Sequence, residues 1–460
     1  MEQFKDQGGA ASSNPPALVR WVMSKVMSRI ATAPAQARRR AKTEAARKRT
    51  GERHRIEYFH QIEDGYSHLA AQLLRPLLEQ YDVELVCHLV RVPHDDNLPE
   101  PELLLPLSRY DAENIAPHYG LRFPANSDAP DPKLLDLAER ILAGVSQQEF
   151  PEASVAVGDA LWSGKIAELD ALADRLGSVP RSEADLQLDR GTARRSQLKH
   201  YSAGMFYCGG EWYWGADRFY HLEQRLIEAG VCNRSGSPLI CPRPAIEAGP
   251  LKDNGSLTLE FYPSMRSPYT SMIFDTTVKF AEEVGVNLEL RPVLPMVMRG
   301  VPATRQKGLY IFSDAAREAE ALGIDWGNIF DPVGEPVRNC YSLYPWACGQ
   351  QKGTELLSSF LRAAFFEGTN INSRKGMMKV VEAAGLSWEE AAGIMGNRDW
   401  EEELETNRLA MYDFGSWGVP SYRLIDADRN VVLALWGQDR LWLFAREIQR
   451  LLRETSQGVS

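Results

Sequence analysis

The chain of 460 residues is poor in cysteine, and its six (Cys87, Cys208, Cys232, Cys241, Cys340 and Cys348) include no C-x-x-C pair. So sparse a set excludes a disulfide framework as the source of stability, and a reducing cytoplasm is the simplest expected compartment. Long apolar runs are missing as well. No segment approaches the roughly 18 apolar residues of a bilayer span, and no uninterrupted apolar core follows the start, so neither a transmembrane segment nor a signal peptide is expected. Histidine stops early. All eight, from His54 to His221, precede residue 232, so the C-terminal part holds no Ser-His pair and no His-containing metal site of its own. His60 and His68 lie near Asp64, but their spacing fits no metal site, and core or surface positions are expected for them.

The composition, 44% hydrophobic and 25% charged, is that of a globular protein, and the length implies two or three domains. The net charge of −10 is unevenly spread: residues 1–55 hold 13 Lys or Arg against 4 Asp or Glu, which leaves about −19 on the remainder. Most of the basic excess lies in ARRRAKTEAARKRTGERHR, residues 37–55. Just before it, ALVRWVMSKVMSRI places Val19, Val22, Val26 and Ile30 on one helical face, with Trp21 nearby. An interfacial helix, a partner-docking arm and a surface-packed basic leader all stay open for residues 1–55. So does organelle targeting, since the segment is rich in Ala, Arg and Ser and poor in acids. A nucleic-acid role is not expected, because the chain outside this arm is strongly acidic.

Residues 232–256, CNRSGSPLICPRPAIEAGPLKDNGS, have no periodicity and are rich in Pro, Gly and Ser, which marks a linker between residues 56–231 and residues 257–460. In the second half LTLEFY (257–262) alternates like a strand, residues 267–284 carry a helical pattern ending at Gly285, and VNLEL (286–290) alternates again. The first half repeats the order with IEYFHQ, DGYSHLAAQLLRPLLEQYD and VELVCHLV. Asp64-Gly65-Tyr66 falls on Ser267-Pro268-Tyr269, and YDAENIAPHYGL (110–121) on SDAAREAEALGI (313–324), both at an offset of 203 residues. WGADR (214–218) matches WGQDR (436–440), and an internal duplication is expected. YRLIDADRNVVLALWG predicts a hairpin turned at Asp426 to Asn430, and a terminal helix follows. Residues 352–412 read as a helical insertion between the opening and closing units.

Within FYPSMRSPYTSM (261–272), Ser267 is suited to cap a helix and Pro268 to fill its first position, where no N–H is needed. The same hydroxyl, at the positive end of a helix, is also placed to face an anion or thiolate.

The order of SPY with K-G-x-Y-I (Lys307 to Ile311), FFEG, Gly418-Val419-Pro420 and GQDR (437–440) resembles the thioredoxin-fold DsbA-like family. It is most similar to the kappa-class glutathione transferases and 2-hydroxychromene-2-carboxylate isomerases. The resemblance implies an α/β thioredoxin-like fold with a helical insertion, duplicated in tandem, and glutathione as the suspected cofactor. By the same resemblance Ser267 donates a hydrogen bond to the glutathione sulfur, and Pro420 is the cis-proline. The Val419 backbone pairs with the cysteinyl part, Gln438 and Asp439 hold the γ-glutamyl end, and Lys307 stands near the substrate. A turn, a helix-end charge and a solvated lysine are the alternative readings of Pro420, Asp439 and Lys307.

Departures accompany it. Arg299 stands about where relatives have an asparagine, Arg266 replaces a small or apolar residue and is expected to change what binds, and the C-x-x-C of oxidising members is missing. In the first half Asp64 replaces the serine, Gly204-Met205-Phe206 stands at the Gly-Val-Pro position and Leu104 at that of Lys307. A pseudo-catalytic domain is therefore expected there, packing against or capping the active half. The expected activity is that of an enzyme using glutathione or a similar thiol on a small electrophile. A non-catalytic binding or scaffold protein is the alternative, and redox chemistry at an isolated Cys208 a third. A homodimer remains open.

Overall fold

The computed structural model describes residues 14–30, 32–93, 100–125, 128–234, 236–301 and 304–458. These form two compact units, Ala37–Pro244 and Met1–Gln36 joined with Ala245–Ser460. Residues 1–13 of the basic N-terminal stretch lie outside the described residues. The remainder of that stretch is shared between the units. Helix α1 (Ala17–Ile30) belongs to the second of them, and α2 (Ala33–Thr50) from Ala37 onward to the first.

The unit Ala37–Pro244 continues with β1 (Arg55–His60), α3 (Gly65–Ala71), α4 (Leu74–Gln80) and β2 (Glu84–Leu89). An insertion of α5 (Pro101–Ile115), α6 (Pro132–Gly144), α7 (Phe150–Trp162), α8 (Ile166–Leu176) and α9 (Arg181–Gln197) follows. The hairpin β3 (Met205–Cys208) and β4 (Glu211–Trp214) then leads to α10 (Phe219–Glu228). The sheet order is β2-β1-β3-β4, with β1 parallel to β2 and antiparallel to β3. The single helix expected over DGYSHLAAQLLRPLLEQYD is broken into α3 and α4. Pro76 explains the break: it has no N–H for the Gln72 carbonyl, and its ring crowds that carbonyl.

The other unit contains β5 (Thr258–Tyr262), α11 (Pro268–Val284) and β6 (Asn287–Leu290). Six helices follow: α12 (Arg305–Ala321), α13 (Glu335–Gly349), α14 (Gly353–Phe365), α15 (Arg374–Ala383), α16 (Trp388–Ile394) and α17 (Glu401–Asp413). Strands β7 (Ser421–Ile425) and β8 (Val431–Trp436) and helix α18 (Leu441–Gly458) close it. The order β6-β5-β7-β8 and the strand senses are those of the first sheet. The hairpin turns where expected, with Asp426 N donating to Asn430 O and Arg429 at φ 68°. The insertion starts earlier than residue 352. Pro345 inside α13 interrupts the sequence pattern that would have announced that helix.

Alternation along β5 sends Leu259 and Phe261 to one face and Glu260 and Tyr262 to the other, all buried. Phe261 stacks on Tyr422 at 4.9 Å and meets Phe274 at 5.6 Å, and Tyr422 meets Phe444 at 5.5 Å. Strands β5 and β7 are thereby tied to α11 and α18 by one aromatic core. On the other face Glu260 accepts from Tyr262 Oη at 2.8 Å and pairs with Arg291 at 3.0 Å and Arg423 at 2.5 Å. Burial works against this carboxylate, and Arg423, Tyr262 and Arg291 together hold its pKa below the ordinary value.

Candidate active site at the N-terminus of α11

Ser267 has extended backbone (φ −87°, ψ 119°), and its Oγ accepts from Thr270 N at 3.1 Å, so it is the N-cap of α11, with Pro268 at the first helical position. A hydroxyl has one proton besides its acceptor lone pairs. In Ser267 that proton is directed at the carbonyl of Val419, 3.4 Å away and 152 residues along the chain. The bond is long, so the proton can turn to a better acceptor at the positive end of a helix of 17 residues. The Val419–Pro420 peptide is cis.

Two glycines hold this corner. A Cβ on Gly418 would enter the indole of Trp436, and Gly437 at φ +126° would bring one onto the Asp439 carboxylate. Gly437 N donates to Pro420 O at 2.9 Å, which joins the end of β8 to the start of β7 and brings the Gln438-Asp439 turn beside Pro420. Lys307, in the first turn of α12, is buried with its Nζ 5.0 Å from the centroid of the Trp417 ring, two residues before Val419.

The structure therefore brings Ser267, Val419 and Pro420 together, with Lys307 reaching the same segment through Trp417. Gln438 is turned inward instead: its Nε2 donates to Glu318 Oε2 at 2.7 Å in the interior. Asp439 stands just ahead of α18, its Oδ1 3.4 Å from Arg440 Nη1. Among the described residues, Trp417 Nε1 and Gln438 Oε1 are buried without a protein hydrogen-bond partner. These are two polar atoms that a bound molecule or a water could satisfy.

A match to the family model for the DSBA-like thioredoxin domain covers residues 258–449. Residues 258–449 are a DSBA-like thioredoxin domain. Solved structures similar to the chain include a 2-hydroxychromene-2-carboxylate isomerase, at 19% identity over 44% of this chain and 100% of that one, with a TM-score of 0.37. They also include a probable DsbA oxidoreductase from Streptomyces coelicolor, at 18% identity over 42% and 89%, with a TM-score of 0.34. A third is the cytosolic disulfide reductase DsbM from Pseudomonas aeruginosa, at 17% identity over 44% and 100%, with a TM-score of 0.29. No curated protein matches.

Within the DSBA-like domain, Arg266 is not presented to a ligand as the sequence suggested. It forms a bidentate pair with Asp331, at 2.9 and 3.1 Å, and Asp331 Oδ1 also accepts from Val333 N at 3.1 Å. Burial would raise the Asp331 pKa, but the Arg266 charge and hydrogen bonds hold it below the ordinary value. Arg299 is likewise engaged internally, donating to Leu294 O at 3.1 Å and to Tyr412 Oη at 3.4 Å. Sequence reasoning passed over Trp417, Asp331 and the pair formed by Tyr269 Oη and Asp314 Oδ2 at 2.8 Å. The offset of 203 residues carried a signal for the last: Tyr66 Oη donates to Asp111 Oδ2, also at 2.8 Å.

A groove of about 770 Å³ lies elsewhere in the DSBA-like domain, between the C-terminal half of α11, β6, α14 and α15. Arg362–Asp275 and Lys379–Glu367 pairs lie along it, and Ser267 stands at the opposite end of α11.

In the unit Ala37–Pro244, Asp64 caps α3 as Ser267 caps α11, but its Oδ2 accepts from both Ser67 N (2.9 Å) and Ser67 Oγ (2.7 Å). Burial pushes its pKa up despite those bonds. Gly204, expected at the place of Gly418, stands instead where Pro420 does: each immediately precedes its strand, and each carbonyl accepts from the glycine after the hairpin, Gly215 or Gly437. The slip of two residues comes from matching glycine to glycine, since the loops 198–204 before β3 and 414–420 before β7 are of equal length and end at Gly204 and Pro420. Leu104 falls in α5 and Lys307 in α12, the first helix of each insertion. His60 and His68 are core residues, on Tyr58 Oη at 2.9 Å and Asp159 Oδ1 at 3.1 Å respectively. Cys208 is buried, and burial raises its pKa, the reverse of what a reactive thiol needs.

Proposed function

We propose that the DSBA-like domain is a thiol-dependent enzyme that binds glutathione or a similar thiol and carries out transfer, isomerisation or reduction on a small electrophile. Ser267 donates its hydroxyl proton to the bound sulfur and stabilises the thiolate, the nucleophilic form. The observation that carries this reading is the convergence of the Ser267 hydroxyl and the Val419 backbone at the N-terminus of α11. The Val419 backbone pairs with the cysteinyl part of the ligand, Pro420 shapes the turn, Asp439 faces the ligand amine and Lys307 the electrophile. Gln438 contributes its unpaired Oε1, since its nitrogen is held by Glu318.

The competing reading is a binding protein that keeps the fold without the chemistry, which the inward engagement of Gln438 and Arg266 favours. Titration calorimetry with millimolar glutathione separates the two. Binding that weakens in both Ser267→Ala and Asp439→Ala supports the enzyme site; no binding, or binding indifferent to both changes, removes it.

The two units are, in the same proposal, copies of one duplicated domain. In support, contacts recur 203 residues apart: Gln61 N to Ser67 Oγ and Ser264 N to Thr270 Oγ1, and the buried Glu57 and Glu260, each held by arginine. At the position matching Ser267 the Ala37–Pro244 copy offers Asp64, a carboxyl group already engaged by Ser67.

A further inference from the structure

We propose that α1 is a docking helix for an anionic lipid surface. The helix packs on its own unit with its polar side. Arg20, 2% exposed, donates through Nη1 to the carbonyls of Asp331 (2.8 Å) and Val333 (2.6 Å) and through Nη2 to Asn14 Oδ1 (2.6 Å). Ser24 Oγ accepts from Asp331 N at 3.0 Å and Ser28 Oγ from Ile329 N at 2.8 Å, while Met27 supplies the buried apolar contact. These bonds fix the rotation of the helix about its axis.

That rotation leaves the apolar side outward. Leu18 is 72% and Trp21 58% exposed, and Val19, Val22, Met23 and Val26 are each exposed by 44% or more. Globular proteins seldom leave so continuous an apolar stripe unpartnered. Lys25 and Arg29 are exposed on the same side, at positions that flank Val22 by three and seven residues.

Charge selects the occupant. No Asp or Glu occurs between residues 7 and 43, a stretch with seven Lys or Arg, although the chain as a whole is acidic. A second copy seated on this face about a two-fold axis would bring a second Lys25 and Arg29 into a seam where α1 offers no acidic residue to pair with them. An anionic bilayer instead takes the apolar residues below its headgroups while the cations reach its phosphates. At 14 residues the helix is about 21 Å long, too short to cross a hydrocarbon core and suited to lie in the interface. Trp21 supplies the ring that favours that depth.

The test uses the full chain, sedimented with vesicles of phosphatidylcholine alone and of phosphatidylcholine with about one third phosphatidylglycerol. The expected result is binding to the anionic vesicles at least about tenfold tighter than to the neutral ones, weakening as salt rises. Val22→Glu with Val26→Glu should lower it by about tenfold or more, with an unchanged circular dichroism spectrum because both side chains face outward. Lys25→Glu with Arg29→Glu is the second variant and should do the same if the first does not fold. No binding to anionic vesicles, equal binding to both, or binding undiminished in a folded variant overturns the proposal. So does a concentration-dependent dimer that these variants abolish in the absence of any vesicle binding.

Discussion

The hydroxyl of Ser267 lies 3.4 Å from the carbonyl oxygen of Val419, so a helix cap and the residue before a cis-proline share one corner of the DSBA-like domain. Capping and the proposed thiolate stabilisation would use different parts of one side chain there: the lone pair serves Thr270 N and leaves the proton for a ligand. The two roles are separable by substitution. Ser267→Ala should cost about 1 kcal/mol of stability through the lost cap and weaken glutathione binding by about tenfold or more through the lost charge-assisted bond. Ser267→Asp should keep the cap yet bind glutathione no better than the alanine variant, because a carboxylate repels a thiolate. Urea unfolding and calorimetry on both proteins check the pair of outcomes.

Arg266 and Asp331 hold the loop in front of Ser267. Asp331→Ala leaves the Arg266 guanidinium partly buried without its counter-charge, and a loss of about 3 kcal/mol is expected from urea unfolding. Arg266→Lys should recover only part of the stability lost in Arg266→Ala, since an ammonium cannot make both bonds.

The unit Ala37–Pro244 should lose stability on acidification. Burial lowers His60 and His200 to about 3, well below the ordinary histidine value. Their neutral forms favour the fold, so this contribution is complete above about pH 6.5 and is lost as pH falls toward 3, the unfolded chain taking up protons first. Glu57 acts over a lower window. Burial opposes its ionisation, but Arg194 and His88 hold its pKa at about 2, so its contribution fades below about pH 4.5. Unfolding midpoints measured from neutral pH downward should decline from near pH 6.5, with a steeper fall below 4.5; a flat profile to pH 4 contradicts the histidine assignment.

Thiol labelling of the native protein should modify Cys348 first, the exposed member of the six. Cys87, Cys208, Cys241 and Cys340 are buried, and burial raises the pKa of each, so peptide mapping after short labelling should find them unmodified. Early modification of Cys208 would reopen redox chemistry at that residue.

Gly418→Ala should disturb the corner itself. The added methyl meets the Trp436 indole, and a cost of about 1–3 kcal/mol is expected, with a changed near-ultraviolet circular dichroism signal from the Trp417 and Trp436 rings packed at 5.3 Å.

Much of this architecture was written locally. The cap at Ser267, the stop at Gly285, the alternation of β5 and the turn at Asp426 to Asn430 each depend on residues within a few positions of one another, so their pattern is visible in the sequence. Helix α13 was hidden because Pro345 breaks the pattern without breaking the helix, and the division of α3 from α4 was overlooked although Pro76 marks it. Gly204 corresponds to Pro420 and not to Gly418 because similarity of letters is a poor guide to which carbonyl meets which glycine, even between loops of equal length.

The sequence by itself determined the strand–helix–strand opening and the hairpin–helix closing of each half, the cap on α11 and the contrast between Ser267 and Asp64, since each is a matter of short-range geometry and side-chain chemistry. Only the tertiary structure decided that Arg266 turns to Asp331, that Gln438 turns to Glu318, and that α1 faces outward with Leu18 and Trp21. Those outcomes depend on partners tens to hundreds of residues away. A buried charge or amide takes whichever partner the packed chain brings within hydrogen-bond reach, and no local pattern names that partner in advance.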